Sequence, residues 1–208
     1  MILSEKNLKE ISKTVQDLPG KAIFSLPEKV LQFGTGVLLR GLPDYFIDRA
    51  NRQGLFNGRI VMVKSTTQGD TDAFTQQDNL YTTCIRGVKK GKTTDEAMIN
   101  ASVSRVLSAS HQWKEILACA QNPQIQIIIS NTTEAGLVLT DDDPQDAPPR
   151  SFPGKLLSFL MERYRFFNGS AESGMIIIPT ELIPDNGKLL KGILTSKLKN
   201  GNPDAGFT

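Results

Sequence analysis

"KVLQFGTGVLLRGLPDYF" occupies residues 29–46. It opens as a short apolar strand at 29–33, turns at Gly34-Thr35-Gly36, and continues with apolar residues at helical spacing. A first glycine permits a tight bend, and a second lets backbone approach a pyrophosphate. The N-terminus of the helix that follows offers unpaired N–H groups to an anion. The pattern G-x-G-x-x-G is incomplete, because Leu39 stands where the third glycine would be. That third glycine serves close helix–strand packing, so Leu39 predicts a slightly displaced helix rather than a dead site. Val37, Leu38, Leu42, Tyr45, Phe46 and Ala50 fall at a helical spacing from 37 to about 52, despite Pro43.

Outward from this stretch, strands and helices alternate. "GRIVMVKST" (58–66) is a continuous apolar run, as in a strand covered on both faces, "IQIIIS" (125–130) reads as another buried strand, and "GMIIIP" (174–179) as a further one. "SHQWKEILACAQ" (110–121) predicts a helix capped by Ser110, with Trp113, Ile116, Leu117 and Ala120 on one face. Ser151 is placed to cap "FPGKLLSFLMERYRFF", with Pro153 in its first turn. Asn186 begins a last helix that Gly201 follows. Between the second strand and the 110–121 helix, "YTTCIRGVKKGKTTDEAMINASVSRVL" reads as β-rich, with a hairpin tip at "KKGK". The whole predicts a doubly wound, mostly parallel α/β sheet with a β-hairpin insertion, in a single domain over 1–208. "TDDDPQDAPPRS" (140–151) is linker-like, but the rhythm resumes after it, so it is expected to be a surface loop.

Composition narrows the function classes. With 39% hydrophobic and 22% charged residues in 208, the chain has enough apolar material for a core without staples. A net charge of +2 with both signs interspersed argues against a nucleic-acid partner. The apolar runs are too short to span a bilayer, and charges interrupt the N-terminus where a signal peptide needs its apolar core. A cytoplasmic location is the expectation. Cys84 and Cys119 lie in apolar surroundings without CxxC spacing, and are expected as buried reduced thiols. His111 is the sole histidine, and this argues against a Ser/His/Asp triad or a histidine-based zinc site. No metal site is expected.

Three polar turns should converge, because the carboxyl ends of parallel strands line one crevice. The first is Gly34-Thr35-Gly36, following Phe33. The second, "SNTTEAG" (130–136), offers Thr132 and Thr133 as hydroxyl donors and Glu134 for proton handling; a plain turn is the alternative. The third, "PTELIPDNG" (179–187), clusters Glu181, Asp185 and Asn186. Asn186 is placed to donate to a developing oxyanion, or to cap a helix. The second strand ends in Val63-Lys64-Ser65-Thr66 without the acidic residue that often holds an adenosine ribose; Asp70 and Asp72 follow in the next loop. Lys64 would favour a 2′-phosphate or be solvated, so the motif leaves NAD and NADP open.

In this order, "VLQFGTGVLLRG", "ISNTTEAGL", "SFPGKLL" and "IIPTELIPDNG" resemble the long-chain mannitol dehydrogenase family, and most closely its uronate branch. Mannitol-type members usually carry Cys-Asp-Asn where this chain has Thr180-Glu181-Leu182, so no asparagine role falls at Leu182. The resemblance implies a Rossmann-type sheet, NAD as cofactor, and interconversion of D-altronate and D-tagaturonate. By match, Phe33, Gly34, Thr35, Gly36, Thr132 and Thr133 would lie at the cofactor, Glu134 on the proton path and Asn186 near the substrate oxygen. A cofactor domain of mannitol or fructuronate type, or a non-enzymatic α/β interaction module, is the alternative. The family's helical second domain carries Lys-x4-Asn-x2-His. Here Ser108 and Val103 stand three and eight residues before His111, so that motif is not in this chain. The implied partners are a small sugar acid and either the second domain or another copy at its docking surface.

Overall fold

In a computed structural model, residues 2–11, 15, 17–66, 71–133 and 136–200 are described, and they include the short helices α1 (Leu8–Ile11) and α4 (Asp72–Gln76). Their sheet is parallel throughout and is built from β1 (Glu28–Phe33), β2 (Arg59–Lys64), β5 (Val103–Ser108), β6 (Ile127–Ser130) and β7 (Ile176–Pro179), in the order β5-β2-β1-β6-β7. The register aligns the carboxyl ends: Phe33 pairs with Val63 on one side and Ser130 on the other, and Ser130 with Pro179. Strand order reverses between β1 and β6, which is where the crevice of such a sheet lies.

Alternation along the strands feeds two layers. Leu31, Phe33, Val61, Val63 and Ile128 pack against α5 (Trp113–Ala120), α6 (Phe152–Phe166) and α7 (Asn186–Asn200). Val30, Ile60, Met62 and Ile129 face the other way, together with Leu39. The expected insertion is a two-stranded antiparallel hairpin of β3 (Tyr81–Lys89) and β4 (Lys92–Asn100). It turns at Lys90 and Gly91, which both have positive φ, as the tight hairpin turn with matching twist requires.

The expected helix over 37–52 is divided in two, and its second half buries its polar side. α2 (Val37–Gly41) ends at Leu42, and α3 (Pro43–Arg52) starts on the proline, whose fixed φ suits a first turn better than an interior. The buried residues of α3 are Asp44, Asp48 and Asn51, while Val37 is 76% and Phe46 59% exposed. The polar side faces in because its partners are there. The Asp48 carboxylate accepts from the Ala101 N–H (2.8 Å) and from Arg52. Asn51 exchanges hydrogen bonds with the backbone of Gly58 in both directions (2.7 and 3.0 Å).

Other local expectations divide similarly. Ser151 caps α6, its Oγ accepting from the Gly154 N–H at 2.9 Å. Ser110 does not cap α5; its Oγ bonds the Ser108 Oγ at 2.9 Å, and the helix starts two residues later, after Gln112. Cys119 is buried, and burial pushes its thiol up to about 11. Cys84 is exposed, contrary to the expectation, because β3 belongs to the projecting hairpin and not to the central sheet.

The 140–151 segment is a loop, as expected, but a fastened one. Lys197 of α7 donates to the carbonyls of Thr140 (2.9 Å) and Asp142 (3.0 Å) and to the Asp142 carboxylate (2.6 Å). Both side chains of this pair are 3% exposed.

β7 is covered on one face only. Across the other face the register runs Ile60–Val30–Ile127–Ile176 and Met62–Gln32–Ile129–Ile178. Its first members are fully buried, but Ile176 is 62% and Ile178 43% exposed. The strand is therefore bare on that side, because the cover that includes α2 and α3 reaches β6 at Ile129 but not β7.

Candidate functional site

The three polar turns meet at the carboxyl ends of β1, β6 and β7. Asn131 donates its backbone N–H to the Phe33 carbonyl (3.1 Å) and its side-chain amide to the Thr180 carbonyl (2.7 Å). Thr180 returns both its N–H and its hydroxyl to the Ser130 carbonyl, each at 2.8 Å. The second and third turns are thus one hydrogen-bonded unit, and its first edge touches the glycine loop.

Gly34 sits at φ 127°, a conformation side chains rarely adopt. A Cβ there would lie 2.9 Å from Leu39 Cδ1 and 3.0 Å from the Asn131 carbonyl oxygen. Leu39 is fully buried among Val30, Ile60, Met62 and Ile129. The residue replacing the third glycine is therefore a core residue lying directly over the first. A Cβ on Gly36 would meet nothing within 4 Å, so the crevice side of the turn is open. The loop carbonyls are drawn away: Gln32 Nε2 donates to the Gly34 oxygen (3.2 Å) and Arg40 Nε to the Thr35 oxygen (3.0 Å).

The other residues singled out in the sequence fall as follows. Phe33 is buried, stacked edge-on against Phe152 at 5.4 Å, so its side chain belongs to the core rather than the crevice. Thr132 is partly buried with its N–H on Glu181, and Thr133 is exposed. Glu134 lies outside the described residues, as does Asp70. Asn186 donates both amide hydrogens within the third turn, to the carbonyls of Pro179 (2.9 Å) and Glu181 (3.1 Å). Service to a substrate oxygen would require it to release one of them. Lys64 is not solvated: it is buried and its ammonium donates to the Thr66 carbonyl at 2.6 Å. His111 is exposed in the turn before α5.

Glu181 was visible in the sequence only as one acid of a polar turn. It is buried, and Oε1 accepts from the Thr132 N–H at 3.1 Å. Its Oε2 and the Ser130 hydroxyl are buried without hydrogen-bond partners among the described residues. Such orphaned polar atoms at a crevice floor are the atoms a polar ligand would satisfy. A cavity of about 880 Å³ near Leu8, Leu18 and Phe24 includes none of the predicted site residues.

Residues 28–204 match the mannitol dehydrogenase Rossmann domain. The chain belongs to the mannitol dehydrogenase family. Relatives in this family include an altronate oxidoreductase of Halalkalibacterium halodurans, 41% identical over 186 residues, a span of 88% of this chain and 36% of that protein. An altronate oxidoreductase of Bacillus subtilis is 38% identical over 183 residues, covering 88% and 38%. The chain thus spans less than half the length of the curated relatives it matches. Among solved structures, Pseudomonas fluorescens mannitol 2-dehydrogenase, in a ternary complex with NAD and D-mannitol, superimposes with a TM-score of 0.83 at 20% identity, over 97% of this chain and 43% of that one. A substrate-free D-sorbitol dehydrogenase gives 0.78 at 20% identity, with the same coverage. These two likenesses establish the Rossmann-type fold.

Proposed function

We propose that this chain is the dinucleotide-binding part of an NAD-dependent oxidoreductase that interconverts D-altronate and D-tagaturonate. The observation that carries the reading is the site's construction: an open glycine loop hydrogen-bonded to two polar turns at the switch point, in a chain whose relatives at 38–41% identity are altronate oxidoreductases. The residues present fit a dinucleotide. Gly34 lacks the Cβ that would strike Leu39 and Asn131, Gly36 is open, and both loop carbonyls are tied back so that they do not oppose an anion.

NAD bound here would supply a hydride acceptor for oxidation of the altronate alcohol to the ketone of tagaturonate, with the hydroxyl proton leaving by the path that Glu134 serves. This chain's share is to bind and orient. Gly34, Thr35 and Gly36 receive the pyrophosphate. Asn131, Thr132 and Glu181 hold the wall beside the reacting ring, and the Ser130 hydroxyl and Glu181 Oε2 accept polar contacts at its floor. Glu134 serves the proton path and Asn186 the substrate oxygen. A helical second domain supplies the remaining catalytic groups. Its docking surface is the uncovered strip of Ile176 and Ile178 with the exposed apolar residues of α2 and α3. A cytoplasmic location accords with this role; among the described residues no helix is long and apolar enough to cross a membrane.

Titration of NADH fluorescence should show saturable binding by the wild-type chain. Gly34→Val should weaken it on the order of 100-fold, since strained backbone and two blocked contacts together cost about 3 kcal/mol. Absence of wild-type binding would overturn the reading. Sedimentation over a concentration range should show self-association through the apolar strip, and a strict monomer would count against that surface as a dock. A family-length protein should reduce tagaturonate in preference to fructose.

A further inference from the structure

Beneath the glycine loop lies a buried polar cluster that none of the three turns includes. Asp44 of α3 and Gln32 of β1 are fully buried, and Tyr81 of β3 is nearly so. Gln32 Nε2 reaches Asp44 Oδ2 (3.4 Å) as well as the Gly34 carbonyl (3.2 Å). The Tyr81 hydroxyl lies 3.2 Å from the same Oδ2 and 3.1 Å from the Arg40 carbonyl at the end of α2. The Asn100 amide holds the Asp44 backbone carbonyl at 3.1 Å.

Proton counting decides the state of this cluster. A phenol has one hydrogen to donate. If Asp44 is ionised, its Oδ2 and the Arg40 carbonyl are both acceptors competing for that hydrogen, and one goes without. If Asp44 carries a proton, Oδ2–H donates to Tyr81, Tyr81 donates to Arg40, and Gln32 still finds a lone pair on Oδ2. Both contacts of the phenol are then satisfied. The charged or titratable groups facing Asp44 among the described residues are Arg40 from α2, Tyr81 from the hairpin and, one turn along α3, Asp48 with Arg52. From β1 and β4 it meets the neutral Gln32 and Asn100. The Arg40 guanidinium does not pair with it: Nε serves the Thr35 carbonyl, and the plane lies over the Phe74 and Tyr81 rings at 5.8 Å each.

We propose that Asp44 is a positioning residue for the dinucleotide loop, acting in its protonated form through Tyr81 and Gln32 on the two ends of the Gly34–Arg40 segment. The inference rests on the dinucleotide reading above. Burial, opposed by the hydrogen bonds from Gln32 and Tyr81 and by the charge of Arg40, pushes the Asp44 carboxyl up to about 7. Ionisation turns the Tyr81 hydrogen toward Asp44 and frees the end of α2, so the loop loosens and dinucleotide affinity falls as pH rises.

The test is NADH titration of the full chain from pH 6 to 8.5, with wild type, Asp44→Asn and Tyr81→Phe. Wild-type affinity should fall about 5- to 10-fold across this range, the lower end of a typical coupling between two sites. Asp44→Asn keeps a donor toward Tyr81 at every pH, leaves Gln32 its bond to the Gly34 carbonyl in place of the 3.4 Å contact with Oδ2, and cannot ionise, so its affinity should be flat. Tyr81→Phe should be weaker at pH 6 and equally flat. A pH-independent wild type, or an Asp44→Asn variant that keeps the wild-type slope, overturns the proposal. Carbon-13 NMR of the aspartate carboxyls, with Asp44→Asn as the assignment, gives a readout independent of binding. A midpoint between pH 6 and 8 supports the protonated cluster, and one below pH 5 overturns it. Should NADH fail to bind at any pH, the dinucleotide reading falls, and the carboxyl titration alone decides whether Asp44 holds its proton.

Discussion

Replacing Lys197 by methionine should lower the unfolding free energy by about 3–5 kcal/mol, because removing one member of a buried ion pair leaves the other charge unpaired. Lys197 and Asp142 are both out of solvent, and the ammonium also serves two backbone carbonyls. Loss reaches further than the pair. Asp142 accepts from the Ser151 N–H (2.8 Å) and hydroxyl (3.0 Å), and Ser151 in turn caps α6. Burial alone would raise the Asp142 carboxyl, but hydrogen bonds from Lys197, Thr140 and Ser151 outweigh it and hold the group well below the usual carboxylate range. A depressed acid contributes stability that is present above its unfolded pKa of about 3.9 and is lost as pH falls through the folded value. Urea denaturation of wild type should therefore weaken steeply below pH 4, and the Lys197→Met curve should be both lower and flatter there. Equal stability of the two proteins at pH 7 would show that α7 is held by its apolar face alone.

The second large effect has the opposite sign. Asp44→Asn should be more stable than wild type at pH 7.5 and equal to it near pH 4. The wild-type carboxyl is raised to about 7, so between its unfolded and folded values the unfolded chain gives up a proton that the native one keeps. Native stability therefore falls as pH rises across that window, by up to about 4 kcal/mol at 1.36 kcal/mol per unit. An asparagine does not titrate and escapes the loss. Subtracting the two pH–stability curves removes contributions common to both, including that of Asp48, which burial also raises. A difference that does not grow between pH 4 and 7 would refute the assignment.

These two acids also mark the limit of what the sequence discloses. The parallel strands, the hairpin at Lys90-Gly91 and the Ser151 cap were legible because each depends on residues a few positions apart. The convergence of the three turns followed from the topology of a parallel sheet. The inner face of α3 was not legible. Asp44, Asp48 and Asn51 look like a solvated side until Tyr81, Ala101 and Gly58 are brought against them by the fold. Asp142 sits in a run of three aspartates, of which only the fold shows that one is sealed by a lysine 55 residues away. Lys64, open in the sequence to a 2′-phosphate or to solvent, differs: its partner Thr66 is only two residues on, and it is burial at the end of β2 that the sequence does not show. Polar residues such as Asp44 and Asp142 announce burial only through partners, and those partners are distant in the chain.

Leu39 resting on Gly34 changes how natural variants of the loop should be compared. The two positions share one small volume, and because the backbone at 34 is held at φ 127°, only residue 39 is free to be large. A leucine at 39 with glycine at 34 and a pair of glycines are then two ways of dividing the same space. A search pattern that demands glycine at 39 will discard working loops, and one that relaxes glycine at 34 will accept blocked ones.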